Sequence, residues 1–314
     1  MASAAISGLD PSERGAAIAL GNFDGMHAGH RAVIESAREA ATRLKTKLGV
    51  ATFEPPPRRF FQPGAPPFRL MTSRRREIVM DALCVDVCAL LRFDASMAAM
   101  TDREFAQKVL VDSIGAVSVS VGFDFRFGKN RVGDANSLRT LGVELGFEVK
   151  IVEEVASNGE KISSSRIREA IERGDMEDAK KALGGWWITD AVVEHGEKRG
   201  RSLGFPTANM RLGEIVHPAP GVYAVWARCD SEKNWRSAVA NFGRTPTTGL
   251  RDPLLEVAIF GIDVDLYGKR LHTAFAKFLR PETKFPGVAE LVTAMNRDAT
   301  KARSVLAALQ PPDF

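Results

Sequence analysis

The sequence predicts an α/β fold: a doubly wound parallel sheet, then a small antiparallel β-barrel with a C-terminal helix. Three observations predict it. From residue 16 to residue 152, strand-like apolar runs alternate with helical periodicity, the pattern of βαβ units on a sheet covered on both faces. Beyond Gly184-Gly185 the pattern changes to short strands split by Gly, Pro and Asp turns, as in an antiparallel barrel. The chain has 314 residues, enough for two domains that each bury a core, and the change of period divides it into 1–184 and 185–314.

The elements follow in order. Ala16–Leu20 is the first strand, and Val33, Ala37, Ala40, Leu44 and Leu48 form an apolar stripe at helical spacing over 30–47. Strands follow at Gly49–Phe53, Val85–Leu91, Val117–Val121 and Val149–Val152, with helices near 73–83, 101–112 and 134–146. Ser163–Ser165 opens a helix carried by Ile167, Ala170 and Ile171, and Asp175–Leu183 is a second helical segment that closes the first domain. In the second domain Trp186–Glu194, Val222–Arg228, Arg236–Asn241, Leu254–Phe260 and Leu271–Phe278 read as strands. Val288, Leu291, Val292, Met295, Ala299, Ala302 and Leu306 mark a closing helix after Pro286.

Composition narrows the function classes. The net charge of +4 comes from Lys and Arg alternating with Asp and Glu. That mixture suits a solvated surface with pockets for polyanionic nucleotides, and it lacks the sustained basic face of a nucleic-acid binder. The three cysteines, Cys84, Cys88 and Cys229, contain no Cys-x-x-Cys pair, which argues against a disulfide framework or a zinc site and fits a reducing cytoplasm. No signal-peptide core and no long apolar run is present, so neither export nor a membrane span is expected.

The chemistry concentrates where strands end, which is where ligands bind on parallel sheets. After the first strand comes Gly21-Asn22-Phe23-Asp24-Gly25-Met26-His27-Ala28-Gly29-His30, which carries two of the five histidines to a helix start. The N–H groups and partial positive charge of a helix N-terminus suit phosphate. Two imidazoles beside them can donate to an α-phosphate as charge builds during displacement. His27 and His30 are therefore the candidate catalytic residues, and Gly21, Asn22, Phe23 and Gly29 candidate ATP and phosphate contacts. The stretch is neither a P-loop, since no Gly-Lys-Ser/Thr follows, nor a dinucleotide fingerprint, since the glycine spacing differs. It resembles the His-x-Gly-His element of the nucleotidylyltransferases, and more narrowly the FAD synthetase module of the prokaryotic bifunctional riboflavin kinase/FAD synthetases.

Two more motifs belong to that module. In Gly122–Gly128, Phe123, Phe125 and Phe127 alternate with Asp124 and Arg126, an aromatic and cationic wall for a flat heterocycle and its phosphate. The run is similar to the family's Gly-x-Asp/Asn-Phe-Arg-Phe-Gly element, which makes Asp124, Phe125, Arg126 and Phe127 candidate flavin contacts. Ser163-Ser164-Ser165-Arg166-Ile167-Arg168 sets serines at a helix start with two arginines behind them, an N-cap joined to a phosphate clamp. It resembles the family's Ile-Ser-Ser-Thr-x-Ile-Arg motif, by which Ser164, Ser165, Arg166 and Arg168 would hold the β- and γ-phosphates of ATP.

The second domain has its own constellation. Gly196–Ser202 is a basic, Gly-rich loop that leads through Leu203-Gly204-Phe205 into Pro206-Thr207-Ala208-Asn209. Such a loop can fold over phosphate, and Thr and Asn oxygens can ligate Mg²⁺ beside phosphate oxygens. The segment, read as a loop and a Pro-Thr-x-Asn turn, resembles the riboflavin kinase signature. Gly221-Val222-Tyr223, Asn241-Phe242-Gly243 with Pro246-Thr247, Leu255-Glu256-Val257 and Asp265-Leu266-Tyr267-Gly268 extend the likeness in the family's order. By it, Gly200, Arg201 and Gly204 would contact phosphate, Thr207 and Asn209 would hold Mg²⁺, and Glu256 would be the general base. Four positions depart from the family pattern: Pro56 where a His is usual, Ala258 and Gly261 where a His and an acidic residue are usual, and Gly185 in place of a common Arg.

The resemblance implies a bifunctional enzyme. Riboflavin and ATP would give FMN, and FMN and a second ATP would give FAD and pyrophosphate. The expected cofactor is Mg²⁺ and the partners are the small substrates ATP, riboflavin and FMN, with no nucleic acid and no membrane; self-association is left open. The alternatives are a chain in which one module is efficient, or a flavin- or RNA-binding regulator without turnover on the same scaffold.

Overall fold

The computed structural model describes residues 3–5, 9, 12–157, 160–195, 205–243, 253–262 and 265–313. The first half contains β1 (Ser3–Ala5), β2 (Ala17–Leu20), β3 (Leu48–Glu54), β4 (Val87–Arg92) and β5 (Ser118–Gly122). A ribbon of β6 (Arg126–Phe127) and β7 (Gly133–Asp134) follows, then β8 (Glu148–Val152) and a second ribbon of β9 (Ala156–Ser157) and β10 (Glu160–Lys161). Among the described residues, six strands form one parallel sheet in the order β1-β4-β3-β2-β5-β8. Its central strands are buried throughout, which is why they read as continuous apolar runs rather than as alternation. The chain steps outward from β2 to β3 and β4, then returns to lay β5 against the other side of β2. The reversal places the switch point of the doubly wound sheet between β2 and β5, where a crevice opens beyond the strand ends.

Helices α1 (Ala28–Leu44), α2 (Pro57–Phe61), α3 (Ser73–Ala82) and α4 (Ala95–Ala99) connect the strands. Next come α5 (Asp102–Glu104), which continues as a π-helix over Phe105–Ile114, and α6 (Ala135–Leu145). Local chemistry sets several starts. Thr101 and Glu104 make a reciprocal capping box, and so do Asp134 and Ser137.

The second half contains α7 (Ser164–Glu172), α8 (Met176–Leu183), β11 (Trp187–Val192), β12 (Ala208–Met210) and β13 (Gly221–Cys229). It continues with β14 (Arg236–Gly243), β15 (Leu254–Ile259), β16 (Arg270–Pro281) and α9 (Val288–Ala307). The strands form an antiparallel sheet in the order β11-β16-β13-β14-β15-β12. Just beyond β11, Glu194 bridges to Asn209 of β12, with Glu194 N–H donating to the Asn209 carbonyl at 2.8 Å, so the two edges meet and the sheet curls into a barrel. Tyr223, Val225, Phe242, Leu255 and Phe275 fill the interior. Ile188, Val222, Trp226 and Ala274 on the outer face receive Ala302 and Leu306 of α9.

Both halves of the predicted fold are present. Two differences have physical causes. Ala208–Met210 lies in the segment read as a turn after Pro206, yet it pairs with β15 through Ala208↔Val257, Asn209↔Glu256 and Met210↔Leu255, and this distant partner overrides the local turn chemistry. β1 is an unanticipated edge strand on β4, drawn from a Ser-Ala-Ala run with no strand signal of its own. By packing, the chain forms two compact units, one of residues 1–65 and 76–162, the other of 66–75 and 163–314. The apolar faces of α7 and α8 explain the second, because Ile167, Ile171, Ala179 and Leu183 share one cluster with Leu70, Tyr223 and Phe275.

Candidate functional site

In the first unit, the turn from β2 to α1 is built around buried aromatic contacts. Phe23, 1% exposed, and the equally buried Met26 both take positive φ, which folds the turn back on itself. The Asn22 carbonyl is held by the Thr52 hydroxyl at 3.1 Å, and Gly21 N–H by the Ala51 carbonyl at 3.1 Å. His27 is the N-cap of α1, and its Nδ1 accepts from the His30 N–H at 3.4 Å. The two imidazoles stack at 3.7 Å between centroids, and the Phe23 ring meets His30 edge-on at 5.4 Å. A Cβ on Gly29 would lie 3.2 Å from His27 Nδ1, so glycine gives that ring its place. With Nδ1 turned to the His30 N–H, Nε2 is the ring nitrogen of His27 on the other edge, the one placed to meet a ligand.

The loop after β5 stands at the same switch point. Phe127 is buried in the unit's core against Phe105, and Phe125 stacks on it at 5.5 Å. These two rings fix the loop, while Phe123, Asp124 and Arg126 are exposed. Arg126 pairs with Asp134 across the ribbon at 3.3 Å. An aromatic group not singled out in the sequence surrounds the ends of β3 and β4. Phe60, Phe61 and Phe93 meet edge to face at 5.2 to 5.7 Å, and Phe61 is 64% exposed. Pro56 is the N-cap of α2, immediately before those phenylalanines.

In the second unit, Ser163 rather than Ser164 is the N-cap of α7, with its Oγ accepting from Arg166 N–H at 3.3 Å. Ser164 and Ser165 occupy the first turn of that helix. Arg166 bonds Asp178 of α8 at 2.6 Å, and Arg168 donates through Nε to the Phe68 carbonyl at 2.6 Å.

On the barrel, the register brings polar residues of the second constellation together. Asn209 of β12 stands opposite Glu256 of β15, and Glu256 stands opposite Asn241 of β14. Directly opposed residues share a face, with Cβ atoms about 5 Å apart. Asn209 turns its Nδ2 to the Thr207 carbonyl at 3.4 Å, and Asn241 turns its Nδ2 to Glu282 Oε1 at 3.4 Å. The two amides therefore stand on either side of Glu256 in one row across three strands. Asn241 was visible only as a motif residue, and strand pairing is what assigns it to this row; Glu282, just beyond β16, joins it through the bond to Asn241. Gly200, Arg201 and Gly204 lie outside the described residues.

Comparison with known proteins agrees with both halves. Residues 9–166 match the FAD synthetase family and residues 183–306 the riboflavin kinase family. The bifunctional riboflavin kinase/FMN adenylyltransferase of Pseudomonas fluorescens is 38% identical over 300 residues, covering 95% of this chain and 96% of that protein. The chain belongs to the bifunctional riboflavin kinase/FMN adenylyltransferase family. Its member from Escherichia coli K12 is 35% identical over 95% of each chain, and that from Bacillus subtilis 33% identical over 91% of this chain and 90% of its own. A crystal structure of a Streptococcus pneumoniae protein described as a macrolide-efflux protein superposes with a TM-score of 0.82 at 31% identity, covering 94% of this chain and 95% of that one. No helix among the described residues is long and apolar enough to cross a membrane. The protein is thus an enzyme of flavin cofactor synthesis with riboflavin kinase and FMN adenylyltransferase activities.

Proposed function

We propose that the two reactions are divided between the barrel, residues 185–314, and the nucleotidylyltransferase part, residues 1–184, with ATP the donor in both. The observation that carries the kinase assignment is the Asn209–Glu256–Asn241 row. Glu256 accepts the proton of the ribityl 5′-hydroxyl as that oxygen attacks the γ-phosphorus of ATP. The bond to the β-phosphate oxygen breaks and ADP leaves with FMN formed. Thr207 and Asn209 offer oxygens that suit a hard divalent cation, and Mg²⁺ bound there with the ATP phosphates would neutralise their charge. No group of three His, Cys, Asp or Glu side chains suited to a metal occurs among the described residues, in keeping with a cation held largely by phosphate oxygens. By the family likeness, Gly200, Arg201 and Gly204 contribute contacts to those phosphates.

For FAD formation no base is required, since the FMN phosphate is already an anionic nucleophile. Its oxygen attacks the α-phosphorus of ATP and pyrophosphate leaves. His27 and His30 donate to the α-phosphate oxygens, and the α1 N-terminus with Gly21, Asn22, Phe23 and Gly29 seats the triphosphate. Ser164, Ser165, Arg166 and Arg168 hold the β- and γ-phosphates. Asp124, Phe125 and Arg126 form the wall for the isoalloxazine, with Phe127 supporting Phe125 from beneath. We place the chain in the cytoplasm, since Cys84, Cys88 and Cys229 are all thiols.

The test is a time course with riboflavin, ATP and Mg²⁺, the flavins being separated by chromatography. FMN should appear first and FAD after it. Glu256→Ala should abolish FMN formation while FMN supplied directly is still converted to FAD. FAD formation from riboflavin by that variant would overturn the assignment.

A further inference from the structure

Residues 66–75 belong to none of the recognised motifs, yet within the second unit they are tied down along their whole length. The N–H groups of Phe68 and Arg69 both donate to the Glu214 carbonyl, at 3.0 and 2.9 Å, and Val216 N–H donates to the Arg69 carbonyl at 2.8 Å. Trp187 of β11, 2% exposed, gives its indole N–H to the Leu70 carbonyl at 2.9 Å. The Thr72 hydroxyl donates to Asp190 of β11, whose other oxygen takes Arg270 at 2.6 Å. The Asp190 side chain is fully buried, and a carboxylate in that setting is tolerated because the strap's hydroxyl and the barrel's guanidinium satisfy it. Arg74 closes the series on Asp230 at 3.3 Å. In the first part of this strap lies Phe68, whose carbonyl receives Arg168 Nε at 2.6 Å and whose ring lies 5.8 Å from the Arg168 guanidinium carbon.

We propose that residues 66–75 are a strap that aims Arg168 for adenylyl transfer, and that Thr72, Trp187 and Asp190 are positioning residues for that reaction. The proposal rests on the reading of Arg168 as a phosphate ligand. A guanidinium is a planar fork, so a bond that fixes Nε fixes the direction in which the two terminal amines point. A long arginine side chain without such a bond spreads over many rotamers and loses that entropy again at each binding event. The carbonyl that supplies the bond is itself rigid, because the chain around it is anchored to β11 and to the backbone at Glu214 and Val216. The barrel therefore carries the kinase chemistry and, through the strap, also sets the geometry of the other reaction.

The test separates the two activities in the full-length chain. Trp187→Phe removes the indole donor, and Thr72→Val removes the hydroxyl that reaches Asp190 and also accepts from Arg75 N–H at 3.0 Å. Each should raise KM for ATP in FMN adenylylation about fivefold or more, with kcat and KM for riboflavin phosphorylation held within about twofold. In an Arg168→Ala background neither substitution should add to the loss, since both act through that side chain. Unchanged adenylylation in both variants, a parallel fall of both activities, or a full further loss in the Arg168→Ala background would each overturn the proposal. If Arg168→Ala alone keeps the parent KM for ATP, the reading of Arg168 fails first and the strap's role fails with it. A large Arg168→Ala effect beside silent strap variants overturns the strap alone.

Discussion

At the scale of single residues, the histidine pair shows how much chemistry a short motif can announce and what it leaves out. His27 and His30 were legible because two of five histidines fall at one Gly-rich turn. The orientation of the His27 ring was not, because it depends on Nδ1 accepting from the His30 N–H in the folded turn. Replacing His30 by Ala removes one donor to the developing charge and the ring stacked on His27. FAD formation from FMN should fall about a hundredfold or more, the cost of losing one such donor, while FMN formation from riboflavin is unaffected; a flavin chromatogram reads both. Asn241 shows the converse. Its motif was visible, but its place beside Glu256 exists only in the strand register. Asn241→Ala should lower kcat for the kinase about tenfold and leave FMN adenylylation unchanged, since the lost amide orients a hydroxyl rather than accepting its proton. Steady-state kinetics of each half-reaction decide it, and an unaltered kinase kcat would remove Asn241 from the row.

At the scale of elements, the strands and helices that could be read in advance share one property: each buries a face broad enough to impose a period on the sequence. The buried strands of the parallel sheet and the amphipathic α1 and α9 are of this kind. What escaped were pieces whose partners are remote, such as β12, which needs β15, and the strap 66–75, which needs β11. Besides Ala302 and Leu306, one ion pair buried on its Asp298 side holds α9, with Arg280 of β16 gripping Asp298 through Nε at 3.0 Å from both oxygens and a terminal amine at 2.7 Å. Asp298→Ala leaves that guanidinium without its counter-charge and should cost about 3 kcal/mol, the low end for a broken buried pair, seen as a lower urea midpoint with an unchanged slope. The outer rung Asp190–His272–Arg228 makes the barrel acid-sensitive. Burial lowers the affinity of His272 for a proton, against the opposing pull of Asp230 and Asp190 and with a small push from Arg228. Neutral His272 donates Nε2–H to Asp230 at 2.8 Å, and that bond holds the Asp230 carboxyl below its ordinary range. Both shifts are downward, so the unfolded chain binds more protons than the native one and stability is lost as pH is lowered, beginning near the ordinary His value of about 6.5. Unfolding midpoints at pH 7.5 and 5.5 should drop more steeply in the parent than in His272→Gln, which keeps a donor for Asp230 but does not titrate.

At the scale of the whole molecule, the histidine turn falls in one compact unit and the Glu256 row in the other, the second also holding Ser164 to Arg168. Each rests on its own core, the histidine turn on the parallel sheet and the glutamate row on the barrel. A substitution at one should therefore leave the other correctly built. The intermediate that joins the two activities is FMN, a soluble anion that, on the proposed division, is made on the barrel and consumed in the nucleotidylyltransferase part. If FMN passes through solution, an inactive kinase site and an inactive adenylyltransferase site can complement each other on different chains. Equimolar His30→Ala and Glu256→Ala variants should accordingly make FAD from riboflavin together, although neither does so alone. The mixture should show a lag in which free FMN accumulates, and the lag should shorten as protein concentration rises, because each step is then bimolecular in enzyme and flavin. Added apo-flavodoxin or another tight FMN trap should suppress FAD in the mixture and in the parent alike. Failure of the mixture to make FAD, with each variant still competent in its own half-reaction, would show that FMN is handed over within one chain or one fixed assembly.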